Sequence, residues 1–193
     1  MGTAIPTPIS ADYPRRPLTV EDYHAMGEAG VLGEDDRVEL IEGDLIQMAP
    51  IGGGHMLSVN RLTQALVRAV GDAAVVSVQN SLSLPPISEP QPDFVLLPPV
   101  FLREARVPTM NDALLVIEVA DTTVAKDRDV KARLYASHGI REYWIVNLPR
   151  KVVQVFRQPG EDGYREIFER GSGSTLAPLA LPDVALDLTA LFA

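Results

Sequence analysis

The sequence predicts an α/β (α+β) fold: a mixed β-sheet flanked by helices, with additional β-hairpins. Three observations predict it. Strand-like and helix-like segments alternate through the middle of the chain, from "GGGHMLSVNRLTQALVRAVGD" to "REYWIVN". One of those strands, "ALLVIEVAD", is a nearly unbroken apolar run of the kind buried on both faces of a sheet. Both ends of the chain read as short strands joined by turns, so hairpins surround a layered centre.

The elements follow in order. The first residues, "MGTAIPTPISADYPRRPLT", are rich in Pro and Thr and lack a signal-peptide core, so 1–17 is expected to be a flexible tail. Residues 18–193 are expected to form a single domain, because a chain of 193 residues supports one sizeable core more comfortably than two. Thr19 at the cap, Glu21 and Asp22 in the first turn and Gly30 as the stop predict a helix over 20–29. "RVELIEGDLIQMAP" predicts a hairpin turning at Glu42-Gly43-Asp44. Apolar residues at Leu62, Ala65, Leu66, Ala69 and Val70 recur at helical spacing up to Gly71. "AAVVSVQNSLSL" reads as a strand, and Pro85, Pro86, Pro90 and Pro92 punctuate the loop after it. Asp93 then heads the strand "DFVLL", and an irregular connection over 98–112 leads to "ALLVIEVAD". A helix over about 127–138 ends at Gly139. "REYWIVN" and "KVVQVFRQ" follow as two strands, with a "GSGS" turn at 171–174 and a closing helical turn near "LDLTALFA". Tyr143 and Trp144 lie on the β pattern and are expected in the core.

Composition narrows the chemistry. With no cysteine, disulfides, thiolate metal sites and cysteine nucleophiles are excluded, so any metal would have oxygen or imidazole ligands. No apolar stretch approaches the roughly 20 residues of a membrane span, and a cytoplasmic location is expected. A net charge of -9 argues against a broad nucleic-acid footprint but not against a local site, since nucleases gather acids at the metal centre.

Three charged residues stand where the pattern asks for something else. Glu118 interrupts the central apolar strand, and a buried carboxylate costs several kcal/mol unless it is paired, hydrogen-bonded or bound to a cation. Asp93 stands at the mouth of another such strand, as a loop cap or as a ligand. Two acids on adjacent strands can converge on Mg²⁺, which takes one or two carboxylates together with waters and phosphate. On a helical wheel Lys131 falls within the arc of Val130, Leu134 and Tyr135, where an apolar residue is expected. It either snorkels to solvent or meets an anion, Glu118 or a bound phosphate. Glu39 shares a strand face with Ile41 as a site acid or a solvated residue. His55 projects with Val59, Leu62 and Leu66 as a structural histidine or one that positions water or phosphate. Gln79 faces the same cleft or is simply a hydrogen-bonded strand residue. "GGGH" lacks the Gly-Lys-Ser/Thr ending of a P-loop.

"RVELIEGDLIQMAP", "EPQPDFVLL", "LLVIEVAD" and "DRDVKARLYASHGIREYWIVN" resemble, in order and spacing, the Uma-two endonuclease family of the PD-(D/E)XK, restriction endonuclease-like superfamily. The resemblance covers roughly 18–192. It implies a restriction endonuclease-like fold, hydrolysis of DNA phosphodiester bonds, and Mg²⁺ or Mn²⁺ held by Asp93, Glu118 and the main-chain carbonyl of Val119. Lys131 would be the catalytic lysine, with Glu39 and His55 as auxiliary catalytic residues. Ala120 departs from the superfamily pattern, which has Lys there, and Lys131 would supply the missing charge. By analogy of fold, a homodimer through the apolar "LDLTALFA" is a further expectation. Two other readings stay open here: a catalytically inactive binding or assembly module of the same fold, and a metal-free carboxylate-pair sugar hydrolase. The second would need acids about 5–9.5 Å apart; an aromatic content of 6% offers it little stacking surface.

Overall fold

A computed structural model describes residues 14–33, 35–50, 52–120 and 124–192. Of the expected tail, residues 1–13 lie outside the described residues. The chain runs α1 (Val20–Glu28), β1 (Val38–Ile41), β2 (Asp44–Gln47), α2 (Gly53–Val70), β3 (Val75–Val78), β4 (Phe94–Leu97), β5 (Leu115–Ala120) and α3 (Val124–Ser137). It continues through β6 (Glu142–Asn147), β7 (Val152–Gly160), β8 (Gly163–Gly171), β9 (Thr175–Leu176), β10 (Leu186–Asp187) and α4 (Leu188–Leu191).

A six-stranded sheet in the order β3-β4-β5-β6-β7-β8 forms the middle layer. Its β5–β6 pair is parallel and the other neighbours are antiparallel. A parallel pair needs a crossover, and α3 supplies it. Because side chains alternate across a strand, β5 feeds two cores. Leu115, Ile117 and Val119 face α2 and the C-terminal segment, packing with Val59, Leu62 and Leu66. Val116 and Ala120 face α3, packing with Leu134, Tyr135 and Tyr143. Glu118 lies between Val116 and Ala120 in the alternation, so it belongs to the α3 face. The expected helix on one side and doubly buried strand in the middle are both present, and Tyr143 and Trp144 are core residues.

Local chemistry explains the outer elements. Thr19 and Asp22 exchange side-chain and backbone bonds in a capping box that starts α1. The β1–β2 hairpin turns through Glu42 and Gly43, both at positive φ. A Cβ on Gly43 would come within 2.3 Å of Pro17, so the turn admits only glycine there. The hairpin is tied to the proline-rich loop by Glu89 N–H donating to the Leu40 carbonyl at 2.7 Å and Gly43 N–H to that of Ile87 at 2.7 Å.

One expectation is corrected. The strand expected through "AAVVSVQNSLSL" is only Val75–Val78, because Gln79 takes φ +52° and turns the chain out of the ladder. The apolar C-terminal segment packs within the chain: Leu186, Leu188, Leu191 and Phe192 are buried against α2 and the sheet. Among the described residues no helix is long and apolar enough to cross a membrane.

Candidate active site

The sheet brings the two suspect acids together by register. Phe94 pairs with Ile117 in the antiparallel β4–β5 ladder, so one step further along Asp93 stands across from Glu118. Asp93 is buried and held by three donors. Its Oδ2 accepts the Val119 N–H at 2.8 Å; its Oδ1 accepts the Gln79 amide at 3.2 Å and lies 3.0 Å from His55 Nε2. Gln79 reaches it because the same positive-φ turn that ends β3 aims its side chain back, while its backbone N–H donates to the Asp93 carbonyl. His55 reaches it from the first turn of α2, on the face that carries Val59 and Leu62.

Glu118 meets α3. Lys131 Nζ donates to its Oε1 at 2.9 Å and lies 3.3 Å from Glu39 Oε2. The Lys131 side chain is only 14% exposed, so it does not snorkel to solvent. Glu39, buried on β1, also accepts the Gln91 N–H at 3.1 Å, which fixes it to the loop that delivers Asp93. The five expected side chains thus fall in two groups centred on adjoining strands: His55 with Asp93, and Lys131 between Glu118 and Glu39. Ala120, where the superfamily pattern has Lys, is buried in the core. The ammonium comes instead from α3, facing the side of β5 that carries Glu118.

One participant carries no such signal in the sequence. The hydroxyl of Tyr135 donates to Glu118 Oε1 at 3.1 Å. At an apolar helical position a tyrosine reads as core, and only its spacing from Lys131, one turn along the same face, could have marked it.

The electrostatics follow from burial. Desolvation pushes the Glu118 carboxyl up to about 7; Lys131 opposes that shift and the Asp93 charge adds to it. Lys131 also loses hydration, but the charges of Glu118 and Glu39 outweigh that and hold its pKa above the ordinary lysine value. Burial and then the Glu118 charge raise the Tyr135 phenol well above its usual value, so it remains a donor.

The donor set fits a hard divalent cation. When Asp93, Glu118 and Glu39 are all ionised, three carboxylates face the Lys131 ammonium and the His55 imidazole among the described residues. Among the described residues Glu118 Oε2 accepts no hydrogen bond. Val119 donates its N–H toward the end of β4, and in an extended strand the carbonyl of the same residue leaves by the same edge, toward Asp93. Among the described residues no three His, Asp or Glu side chains form a metal cage by themselves. A cation here would therefore rest on two carboxylates completed by carbonyl, water and substrate oxygens, the arrangement Mg²⁺ commonly takes.

Comparison with known proteins bears on the fold and the family. A crystal structure from Anabaena variabilis, described as "a putative nuclease belonging to DUF820", superposes with a TM-score of 0.68 at 19% identity, covering 91% of this chain and 98% of that one. At that identity the likeness speaks for the fold, which is restriction endonuclease-like. No curated protein matches the chain. The model of the Uma2 family, described as "Putative restriction endonuclease", matches residues 20–189. The chain belongs to the Uma2 (Uma-two) family.

Proposed function

We propose that the protein is a metal-dependent endonuclease that hydrolyses DNA phosphodiester bonds. The observation that carries this reading is the meeting of Asp93 and Glu118 across adjoining strands with the Lys131 ammonium bonded to Glu118. A structural ion pair alone would account for Lys131 and Glu118, but not for a second buried acid opposite or for the Glu118 oxygen that, among the described residues, has no donor.

Asp93, Glu118 and the Val119 carbonyl would hold Mg²⁺ or Mn²⁺, which when bound supplies activation of the attacking water and neutralisation of phosphoryl charge. The protein's own groups do the rest. Lys131 stabilises negative charge growing on the phosphoryl oxygens, and Glu39 keeps its ammonium within reach of the site. His55 and Gln79 fix the Asp93 carboxylate, so its Oδ1 is oriented before substrate arrives.

Nicking of supercoiled plasmid by the purified protein tests this. Cleavage is expected with Mg²⁺ or Mn²⁺, not with EDTA, and Lys131→Met is expected to slow it by about 10²–10³-fold. Cleavage that survives EDTA or ignores Lys131→Met would overturn the mechanism. Ala120 at the superfamily's lysine position favours a second reading, a non-catalytic module of the same fold; metal binding without cleavage of any DNA form would support it.

Metal binding should also depend on pH. A Glu118 pKa raised to about 7 means that the folded, metal-free protein holds a proton there between the ordinary carboxylate range and neutrality. Cation binding must expel it, so Mn²⁺ affinity is expected to rise from pH 6 to pH 8 and then level off. The sign for stability is opposite: the folded state binds more protons than the unfolded chain in this window, so this group's contribution is present below it and lost as pH rises through about 7. Isothermal titration with Mn²⁺ at three pH values checks the first effect.

A further inference from the structure

Two donors share one oxygen of Glu118 and leave the other bare. Oε1 accepts both the Lys131 ammonium and the Tyr135 hydroxyl, while among the described residues Oε2 accepts no hydrogen bond. A carboxylate has about four acceptor positions spread over its two oxygens. Crowding both donors onto one oxygen fixes which oxygen remains for a cation.

The two donors differ in what they can do next. Lys131 is a charge on a flexible stem with a second partner already at hand in Glu39, 3.3 Å away. Moving toward a phosphoryl oxygen takes it off Glu118. Tyr135 has no such freedom: its ring is fully buried and packed against Tyr143 with centroids 5.0 Å apart. A phenol is also neutral, so it restrains a carboxylate without repelling a cation beside it, which an ammonium cannot do.

We propose that Tyr135 is a positioning residue that holds Glu118 by Oε1, keeping Oε2 open to the cation and freeing Lys131 to leave for the substrate. The proposal rests on the nuclease reading above and assigns this role to a residue that reading does not use.

The test is Mn²⁺ binding to the whole protein at pH 8, without DNA, in wild type, Asp93→Ala, Tyr135→Phe and Lys131→Met. Tyr135→Phe keeps the ring and its packing and is expected to weaken Mn²⁺ binding by about tenfold. Lys131→Met removes a like charge from beside the cation and is expected not to weaken it. Equal weakening in both would indicate general loosening of the cluster and overturn the role. Wild-type affinity in Tyr135→Phe, with binding abolished in Asp93→Ala, would overturn the positioning role alone. Absence of Mn²⁺ binding in the wild type would overturn the nuclease reading and this inference with it. A measurement that needs no variant is the ¹³C resonance of the Tyr135 phenol carbon during Mg²⁺ titration. It is expected to shift as the charge on its acceptor is neutralised, and an unmoved resonance in a protein that binds Mg²⁺ would overturn the proposal.

Discussion

Asp93→Asn is expected to abolish metal-dependent cleavage while leaving the protein folded, with the single-turnover rate of plasmid nicking reduced by about three orders of magnitude. The scale follows from the several kcal/mol of charge stabilisation that a bound cation contributes, at about 1.4 kcal/mol per tenfold in rate. The choice of Asn separates two roles of this side chain. Its carboxylate accepts the Val119 N–H and faces Gln79 and His55, so Asp93→Ala would orphan buried donors at about 1–3 kcal/mol for each one left unmet. Asn keeps an acceptor for Val119 and nearly the same shape, but loses the charge. It also relieves the repulsion that Asp93 exerts on Glu118, which offsets part of any lost hydrogen bonding. Melting temperature beside wild type should therefore change little for Asn and fall for Ala, while both lose Mn²⁺ binding and activity. Wild-type cleavage by either variant would remove Asp93 from the site.

The largest expected effect on stability lies away from the site. Glu142 is fully buried, directly across the β6–β7 ladder from Arg157. Its Oε1 accepts Arg157 Nε at 2.8 Å and the Trp144 indole N–H at 2.9 Å, and its Oε2 accepts the Leu179 N–H. Arg157 also donates to the Ala177 carbonyl, so this one acid ties the sheet to the segment after β9. Arg157→Met is expected to cost about 3–5 kcal/mol, because it leaves a buried carboxylate without its counter-charge. Adding Glu142→Gln should recover much of that loss, since the stranded charge is the larger part of the penalty. Urea denaturation at pH 7 measures both. By contrast, Arg150→Ala, which breaks the exposed pair with Glu169, is expected to cost no more than about 1 kcal/mol.

The candidate site was legible wherever charge broke an apolar pattern. Asp93, Glu118 and Lys131 each occupied a position at which the local periodicity called for something else, and the fold joins all three. The pattern could not show that Glu39 and Glu118 would share one ammonium, because that depends on how the hairpin is tied to the loop at Leu40 and Glu89. Tyr135 stayed hidden for the opposite reason: an aromatic residue on an apolar helix face breaks no pattern, and its hydroxyl matters only through a contact with another element. Glu142 at the start of "REYWIVN" reads as a polar flank, since the register that sets it against Arg157 is a property of the sheet. The overlong strand at "AAVVSVQNSLSL" failed on one residue, because nothing in its composition announces that Gln79 leaves the extended conformation.

The sheet is unevenly stitched. Eight residue pairs join β7 to β8 and six join β6 to β7, but only three join β4 to β5 and four join β3 to β4. The long meander carries the longer ladders, and β4 is joined to its neighbours by the shorter ones. Asp93 heads the strand held by the shorter ladders, whereas Glu118 sits on the strand that pairs with β6. A cation held between these two acids would tie the lightly paired strand to the heavily paired one, so loading the site is expected to slow amide hydrogen exchange in β4.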